Sequence, residues 1–353
     1  MGAGRPWRAS PHNFVWLMFI EINKLLAPLT TFKIGGRAEF FVEAKSIEDI
    51  EEATKFARER KLAVFILGGG SNVLLPDKGI KGLVIKIAIK GIKFSDKGDM
   101  VLVSAGAGES WDGLVGKAVK KNLGGIENLS LIPGTAGAAV YQNIGAYGVE
   151  LKDVFESTEV IDINLGKIKR LSKEDCRFGY RNSVFQHKDG KQYIILSVEL
   201  KLSKKPEPVI KYPDLIKEFQ GKLPNIDMVR KAVIKIRKSK LVYPDTKLGT
   251  AGSFFKNPVI PAVEYKNLLL KYPDLMGREK DGVVKLFAGQ LIEKAGWKGK
   301  RFGKVGVSEK HSLVLVNYGG GKSKDTVGLA NKVIRSVKNM FGVVLEPEVR
   351  IIG

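Results

Sequence analysis

From Gly124 to Gly148 the chain reads GGIENLSLIPGTAGAAVYQNIGAYG, and this passage restricts the possible folds more than any other. Glycine inside a helix or strand loses more backbone entropy than any other residue and has no side chain to pack. A passage this dense in it therefore predicts irregular loop rather than regular structure. Two explanations remain for such a loop. Either its bare backbone N–H groups face a ligand, or it is an irregular crossing with no partner. The chain holds 40 glycines in 353 residues, more than average usage gives, so glycine-dependent loops are the first place to look for function.

A chain of 353 residues exceeds the size at which one hydrophobic core stops growing, so two or three domains are expected. From Glu39 to Ile87 strand and helix signals alternate. A strand near Ala38 to Ala44 precedes Ser46, an N-cap with Asp49 three residues on, and then Ile47, Ile50, Ala53 and Ala57 at helical spacing. Leu62 to Leu67 reads as a buried strand running into Gly68-Gly69-Gly70-Ser71-Asn72, and Val84 to Ile87 as another strand. Further on come short strands at Val101 to Ala105 and Tyr193 to Leu202, a helix near Trp111 to Lys121, a Pro-rich link KKPEPVIKYPDL and a helix near Met228 to Ser239. The last helix has Ser323 as N-cap, one face of Val327, Ala330, Ile334, Val337 and Phe341, and Gly342 at its end. A strand from Val343 to Ile352 is expected to close the chain.

The 59 Lys and Arg against 37 Asp and Glu give a formal charge of +22, which suits nucleic acid, a membrane surface or anionic small molecules alike. The cations are mostly scattered lysines without aromatic interleaving or nucleic-acid motif spacing, so no nucleic-acid partner is expected. A single cysteine, Cys176, excludes an intramolecular disulfide and fits a reducing compartment. No histidine neighbours it, and it reads as a small buried hydrophobe. His12, His187 and His311 stand apart from any ligand spacing, so no metal site is expected and any redox chemistry is organic. MGAGRPWRAS followed by FVWLMFI (Phe14 to Ile20) imitates a signal peptide, but the apolar run is too short and lacks a small-residue cleavage site. It is also far below a membrane span. Residues 1–17 are read as a non-essential extension with Met18 as the natural start, and the chain as cytoplasmic and not membrane-bound.

Gly319-Gly320-Gly321-Lys322-Ser323, between a strand at Leu313 to Asn317 and the last helix, imitates a P-loop. That motif needs glycine five residues before Gly321, where Val316 stands, so the segment reads as a turn with a helix cap. GGGSN after its buried strand is the better anion site, because glycines let N–H groups point together at a pyrophosphate. A ligand-free tight turn would look the same, and the G-x-G-x-x-G spacing is absent.

Seven strings then occur in order: PLTTFKIGG (Pro28 to Gly36), LGGGSN (Leu67 to Asn72), GIENLSLIPGTAG (Gly125 to Gly137), QNIGAYG (Gln142 to Gly148), FGYRNSVF (Phe178 to Phe185), AGSFFKNP (Ala251 to Pro258) and LEPEVR (Leu345 to Arg350). Together they resemble the UDP-N-acetylenolpyruvoylglucosamine reductase family, flavoenzymes of bacterial cell-wall precursor synthesis, from about Asn23 to Gly353. The 204–248 insert containing Tyr212 is similar to the longer of the family's two versions, in which a tyrosine on a mobile loop closes over the substrate. The resemblance implies an α+β fold: a two-part FAD-binding module of the vanillyl-alcohol-oxidase/PCMH type plus an α/β substrate-binding domain. The implied division is an extension at 1–22, FAD-binding parts at 23–88 (with the C-terminal strand 342–353) and 89–241, and a substrate domain at 242–341. It also implies a monomer that uses FAD and NADPH to reduce the enolpyruvyl ether of UDP-N-acetylglucosamine enolpyruvate to the lactyl ether of UDP-N-acetylmuramate.

Hydride addition from flavin N5 to the terminal carbon pushes charge onto the substrate carboxylate, so the site needs a cation or acid there and a proton donor at the adjacent carbon. By resemblance, Arg181 in FGYRNS is the cation, Glu348 in LEPEV the glutamate acid and Ser253 in AGSFFKNP the proton donor, with Phe254 and Phe255 keeping the site dry. On residue type alone, Arg181 and Glu348 could be surface ion-pair residues and Ser253 a turn residue. The resemblance assigns flavin binding, largely through backbone groups, to Gly68, Gly69, Gly70, Ser71 and Asn72, to Pro133 and Gly134, and to Gln142, Asn143, Ile144 and Gly145. It assigns the UDP portion to Tyr212, Arg237, Lys240 and Asn257. The chain departs from the family at Ala138, Ala139 and Val140, where hydroxyl residues are frequent, and at Gln290, where an aromatic is common. A flavin oxidase of the same fold and a basic binding protein with a degenerate site are the alternatives, and a colourless purified protein would favour the second.

Overall fold

The computed structural model describes residues 19–241 and 248–353, so the expected extension at residues 1–17 and the start at Met18 lie outside the described residues. The chain divides into two compact units. The first comprises residues up to 24, 38–69 and 80–237, and the second 25–37, 70–79 and 238–353.

In the first unit a four-stranded sheet has the order Glu21–Leu25, Arg37–Ala44, Ile80–Ile87, Val64–Leu67, and its last three strands run parallel. Leu83, Val84 and Ile85 are buried in succession, as expected for a parallel strand covered on both faces. Helix α1 (Ile47–Glu59) starts with the reciprocal box anticipated between Ser46 and Asp49, and it buries Ile50, Ala53 and Ala57. An antiparallel sheet of five strands follows, ordered Lys167–Ser172, Phe155–Asp162, Tyr193–Ser203, Met100–Gly106, Ile92–Lys97. Along Tyr193–Ser203 the residues Ile194, Leu196, Val198, Leu200 and Leu202 are all buried, the period of two that a sheet face demands.

Helices α2 (Trp111–Lys120), α3 (Ala136–Gln142), α4 (Pro213–Phe219) and α5 (Ile226–Lys240, whose last turn passes the unit's end at Arg237) also belong here. Two of them correct the sequence reading. The glycine-rich passage is not wholly irregular, because Thr135 caps α3 and Ala136, Ala139 and Val140 give it a buried face. The Pro-rich link is also partly helical, because Pro213 takes the first helical position after Tyr212, where a missing N–H costs nothing.

The second unit contains helices α6 (Ala262–Lys271), α7 (Ala288–Lys294) and α8 (Ser323–Phe341). Its strands form a sheet ordered Val259–Pro261, Val283–Leu286, Gly277–Lys280 and another ordered Arg301–Phe302, Val305–Val307, Leu315–Asn317. Helix α8 ends at Gly342 with φ 73°, as expected; of its anticipated face Ala330, Val337 and Phe341 are buried and Val327 and Ile334 half-buried, with Leu329 and Val333 also buried. Its start differs from expectation. Lys322 is the N-cap and Ser323 is a buried first-turn residue. The carboxylate of Asp77 accepts the N–H groups of Ser323 (2.9 Å) and Lys324 (3.3 Å), so an internal anion already occupies this P-loop look-alike. The closing strand is also shorter than expected: its regular part is Arg350–Ile351, parallel with Val73–Leu74, and Pro347 makes an isolated bridge to Phe255.

Candidate functional site

The first unit gathers one set of the anticipated residues. Gly69 packs directly on Gly134: a Cβ on it would lie 2.8 Å from the Gly134 Cα, so only glycine fits between these two backbones. Gly68 lies against Thr135 and Ala138, and Thr135 caps α3 through the N–H of Ala138 (3.4 Å). Thr135 was not singled out from the sequence, although its position before a run of small residues is an N-cap signal. The departures at 138–140 thus lie in α3, where Ala139 and Val140 are buried structural residues.

Downstream of α3, the strings QNIGAYG and FGYRNSVF interlock. Asn143 adopts φ 44° and ends the helix. Its buried side chain donates to Glu150 (3.1 Å) and the Gly179 carbonyl (2.8 Å) and accepts from the Lys152 N–H (3.1 Å). With its side chain spent on structure, Asn143 has only backbone groups to offer a ligand. Gly179 and Asn182 pair across a tight turn, whose inner residue Arg181 is held at φ 53°. A non-glycine residue in this left-handed region carries strain of about 1 kcal/mol or more, which the surrounding contacts must offset. The amide of Gln186 restrains the turn by donating to the carbonyls of Arg181 (3.1 Å) and Tyr141 (3.0 Å). The Arg181 guanidinium in turn donates from Nη2 to the Gly145 carbonyl (2.8 Å). Arg181 and the Gln142–Gly145 segment therefore form one local assembly.

Tyr212 stands at the head of α4, where its ring meets Tyr147 edge to face, with centroids 5.2 Å apart. Arg237 lies on α5, and its Nε is buried without a hydrogen-bond partner among the described residues. Lys240, one turn further along this helix, is its last residue.

The second unit gathers the rest. Ala251–Pro258 is pinned by buried Phe254 and Phe255, whose rings meet at 5.2 Å, with Phe32 packed edge-on to Phe254 at 6.5 Å. The N–H of Phe254 donates to the Leu313 carbonyl (2.7 Å), and its carbonyl accepts the N–H of Glu348 (2.8 Å). Ser253 bridges Val314 and Phe255 bridges Pro347. Ser253 is partly buried, and its hydroxyl makes no hydrogen bond among the described residues. The side-chain amide of Asn72 donates to the Glu348 carbonyl (3.2 Å), while its main-chain carbonyl accepts the Arg350 N–H (3.1 Å). Three strings far apart in sequence therefore converge on one backbone ladder. Gly70, at φ 63°, touches the Leu29 carbonyl so closely that a Cβ would sit 2.0 Å from that oxygen. Asn257 holds the start of α7 by accepting from Ala288 (3.0 Å). Gln290 stitches residues 274–276 to α7, accepting from Met276 (2.9 Å) and donating to Asp274 (2.8 Å). That bridging gives the Gln290 amide a structural role.

Two titratable groups belong to structure. Burial pushes the Cys176 thiol up to about 12, with Asp175 and Glu174 adding to the shift, so it is no nucleophile at neutral pH. Burial depresses His311, with Lys240 and Lys298 adding to the shift. No group of His, Cys, Asp and Glu among the described residues could hold a metal ion. No described helix is long and apolar enough to cross a membrane.

The donor set suits a flavin dinucleotide. Gly69 packs its backbone directly on Gly134 and Gly68 lies against Thr135 and Ala138, so the two glycine-bearing loops meet with no bulky side chain between them to shield backbone donors from a ligand. Residues 38–172 match the FAD binding domain family, and residues 244–352 match the C-terminal domain of UDP-N-acetylenolpyruvoylglucosamine reductase. The fold and site thus define an FAD-dependent oxidoreductase with a two-part flavin module and a third, substrate-binding part.

The particular family follows from whole-chain relatives. The chain is 44% identical over 328 residues to the UDP-N-acetylenolpyruvoylglucosamine reductase of Pseudomonas aeruginosa, covering 92% of this chain and 96% of that one. It is 41% identical to the enzyme of that name from Pasteurella multocida, covering 93% and 95%. The crystal structure of the reductase from Thermus caldophilus superposes with a TM-score of 0.66 at 27% identity, covering 95% and 99%. The chain belongs to the UDP-N-acetylenolpyruvoylglucosamine reductase family.

Proposed function

We propose that this chain, acting as a cytoplasmic monomer with NADPH as electron source, reduces UDP-N-acetylglucosamine enolpyruvate to UDP-N-acetylmuramate. The observation that supports the reading is the convergence of Asn72, Ser253–Phe255 and Glu346–Arg350 on one backbone ladder, since the segments carrying the acid candidates Ser253 and Glu348 are then neighbours. FAD, held by backbone groups of this chain, would supply the hydride chemistry at the terminal carbon of the enolpyruvyl group, with NADPH as the source of electrons. Arg181 meets the substrate carboxylate as charge develops on it. Its guanidinium is permanently cationic, and the Gly145 carbonyl orients it before substrate arrives. Ser253 gives its proton to the adjacent carbon. A hydroxyl is a weak acid in water, but its backbone is fixed by two buried phenylalanines, and a positioned donor needs no bulk solvent. Glu348 assists as the acid near the carboxylate.

Flavin is held through backbone groups of Gly68–Asn72, Pro133–Gly134 and Gln142–Gly145. Arg237 and Lys240 serve the diphosphate, the orphan Nε of Arg237 supporting its part, with Tyr212 and Asn257 as further contacts. In functional terms 23–88 with 342–353 and 89–241 serve the flavin, and 242–341 the nucleotide sugar. The positive charge is then a solvated lysine surface, with no nucleic-acid partner. The test is direct: the purified protein is yellow, is bleached by NADPH without oxygen, and regains colour on adding the enolpyruvyl nucleotide sugar. A protein that NADPH bleaches but the nucleotide sugar does not recolour would refute the reading.

A further inference from the structure

Asn128 lies in the short 3-10 turn Glu127–Leu129 and is fully buried. Its Nδ2 donates to the carbonyl of Tyr147 and to the carbonyl of Val209, both at 2.9 Å. Its Oδ1 is buried and has no hydrogen-bond partner among the described residues. Both neighbours of the nitrogen are carbonyl oxygens, which only accept, so the orientation of the amide is fixed. Leaving a buried acceptor unmatched costs free energy that an apolar residue of similar shape would avoid, so the two donated bonds are the reason for an amide here. Those bonds join segments 19 and 81 residues away. One is the Tyr147 turn, with Tyr147 at φ 50°. The other is the stretch leading into Tyr212, whose ring packs edge to face on Tyr147. Gly148 follows the same course, since a Cβ there would touch Val209 at 3.7 Å and Lys211 at 3.8 Å.

We propose that Asn128 is a positioning residue: its amide latches the 205–212 segment onto the Tyr147 turn and so sets Tyr212 for the nucleotide-sugar substrate. The role of Tyr212 rests on the function proposed above, whereas the latch stands on geometry alone. Two variants test it. Asn128→Asp is nearly isosteric but sets a carboxylate against two carbonyl oxygens, and Asn128→Leu removes the donors together with the unmatched acceptor. Hydrogen exchange over 205–212 should quicken about tenfold in both, the consequence of losing one or two hydrogen bonds, while Tyr193–Ser203 keeps its protection. KM for UDP-N-acetylglucosamine enolpyruvate should rise about tenfold with kcat within about threefold. Adding Asn128→Leu to Tyr212→Ala should raise KM no further, because both act through one ring. Unchanged exchange in 205–212, or exchange raised throughout the unit in both variants, would overturn the latch. An equal KM rise in the Tyr212→Ala background would overturn its action through Tyr212. If the native protein does not turn over the nucleotide sugar, the functional reading fails while the exchange measurement still decides the latch.

Discussion

Replacing Ser253 by alanine separates chemistry from structure, because the geometry gives opposite expectations for the two. The serine hydroxyl has no hydrogen-bond partner among the described residues, and the backbone around it is fixed by Phe254, Phe255 and the bonds to Leu313 and Glu348. Removing one oxygen creates no cavity and strands no buried group, so unfolding free energy should change by no more than about 0.5 kcal/mol. Removing the proposed acid, in contrast, should slow protonation by about a hundred- to ten-thousandfold, a barrier increase of about 2.7–5.5 kcal/mol. Stopped-flow absorbance reads the two half-reactions apart. Bleaching of the bound flavin by NADPH should keep its native rate, and recolouring by UDP-N-acetylglucosamine enolpyruvate should carry the whole loss. An equal fall in both, or a melting temperature lowered by more than about 4 °C, would make Ser253 a structural residue and refute the reasoning.

Gly69→Ala places its Cβ 2.8 Å from the Gly134 Cα. Overpacking of this kind costs about 1–3 kcal/mol, so the flavin-to-protein absorbance ratio after dialysis should fall, and full retention would exclude a role of the Gly69–Gly134 contact in flavin binding. Arg181→Lys removes the fork and its bond to the Gly145 carbonyl. Substrate reduction should slow by about a hundredfold or more, since a point charge does not replace two aligned donors, and a lysine enzyme at near-native rate would remove Arg181 from catalysis. Cys176 ionises about three pH units higher in the folded protein than its ordinary 9.0. The folded state therefore holds the proton more tightly, its contribution is complete below pH 9, and stability is lost as pH rises from 9 towards 12. Cys176→Ala should flatten that alkaline limb in denaturant titrations. His311 is depressed by burial, so its contribution is complete above its ordinary 6.5 and lost as pH falls through the folded value. His311→Gln should flatten the acid limb.

Local code was legible where the physics is local. Ser46 and Asp49 box the start of α1, alternate residues of Tyr193–Ser203 face inward, and Gly342 ends α8, because each depends on neighbours within a turn or a strand period. What stayed hidden depends on partners distant in sequence. Asp77 reaches Ser323 across 246 positions and takes the helix end that Ser323 itself was expected to cap. The bond from Asn72 to Glu348 spans 276 positions, and the strings containing them mark these residues as important without showing that they touch.

Asn143 and Asn128 make the same point about side chains. Both fall in glycine-rich strings, where the natural expectation is a ligand contact or a loose loop. Yet Asn143 spends its whole amide on Glu150, Gly179 and Lys152, and Asn128 spends its donors on two distant carbonyls. Dense glycine removes the side chains that would otherwise hold a loop, so a few buried amides must do so, and they cost more to lose than the exposed polar residues nearby. In this chain the glycines provide the close backbone approach and the asparagines provide the rigidity. A side-chain substitution at either asparagine should therefore loosen the loops that carry Arg181 and Tyr212.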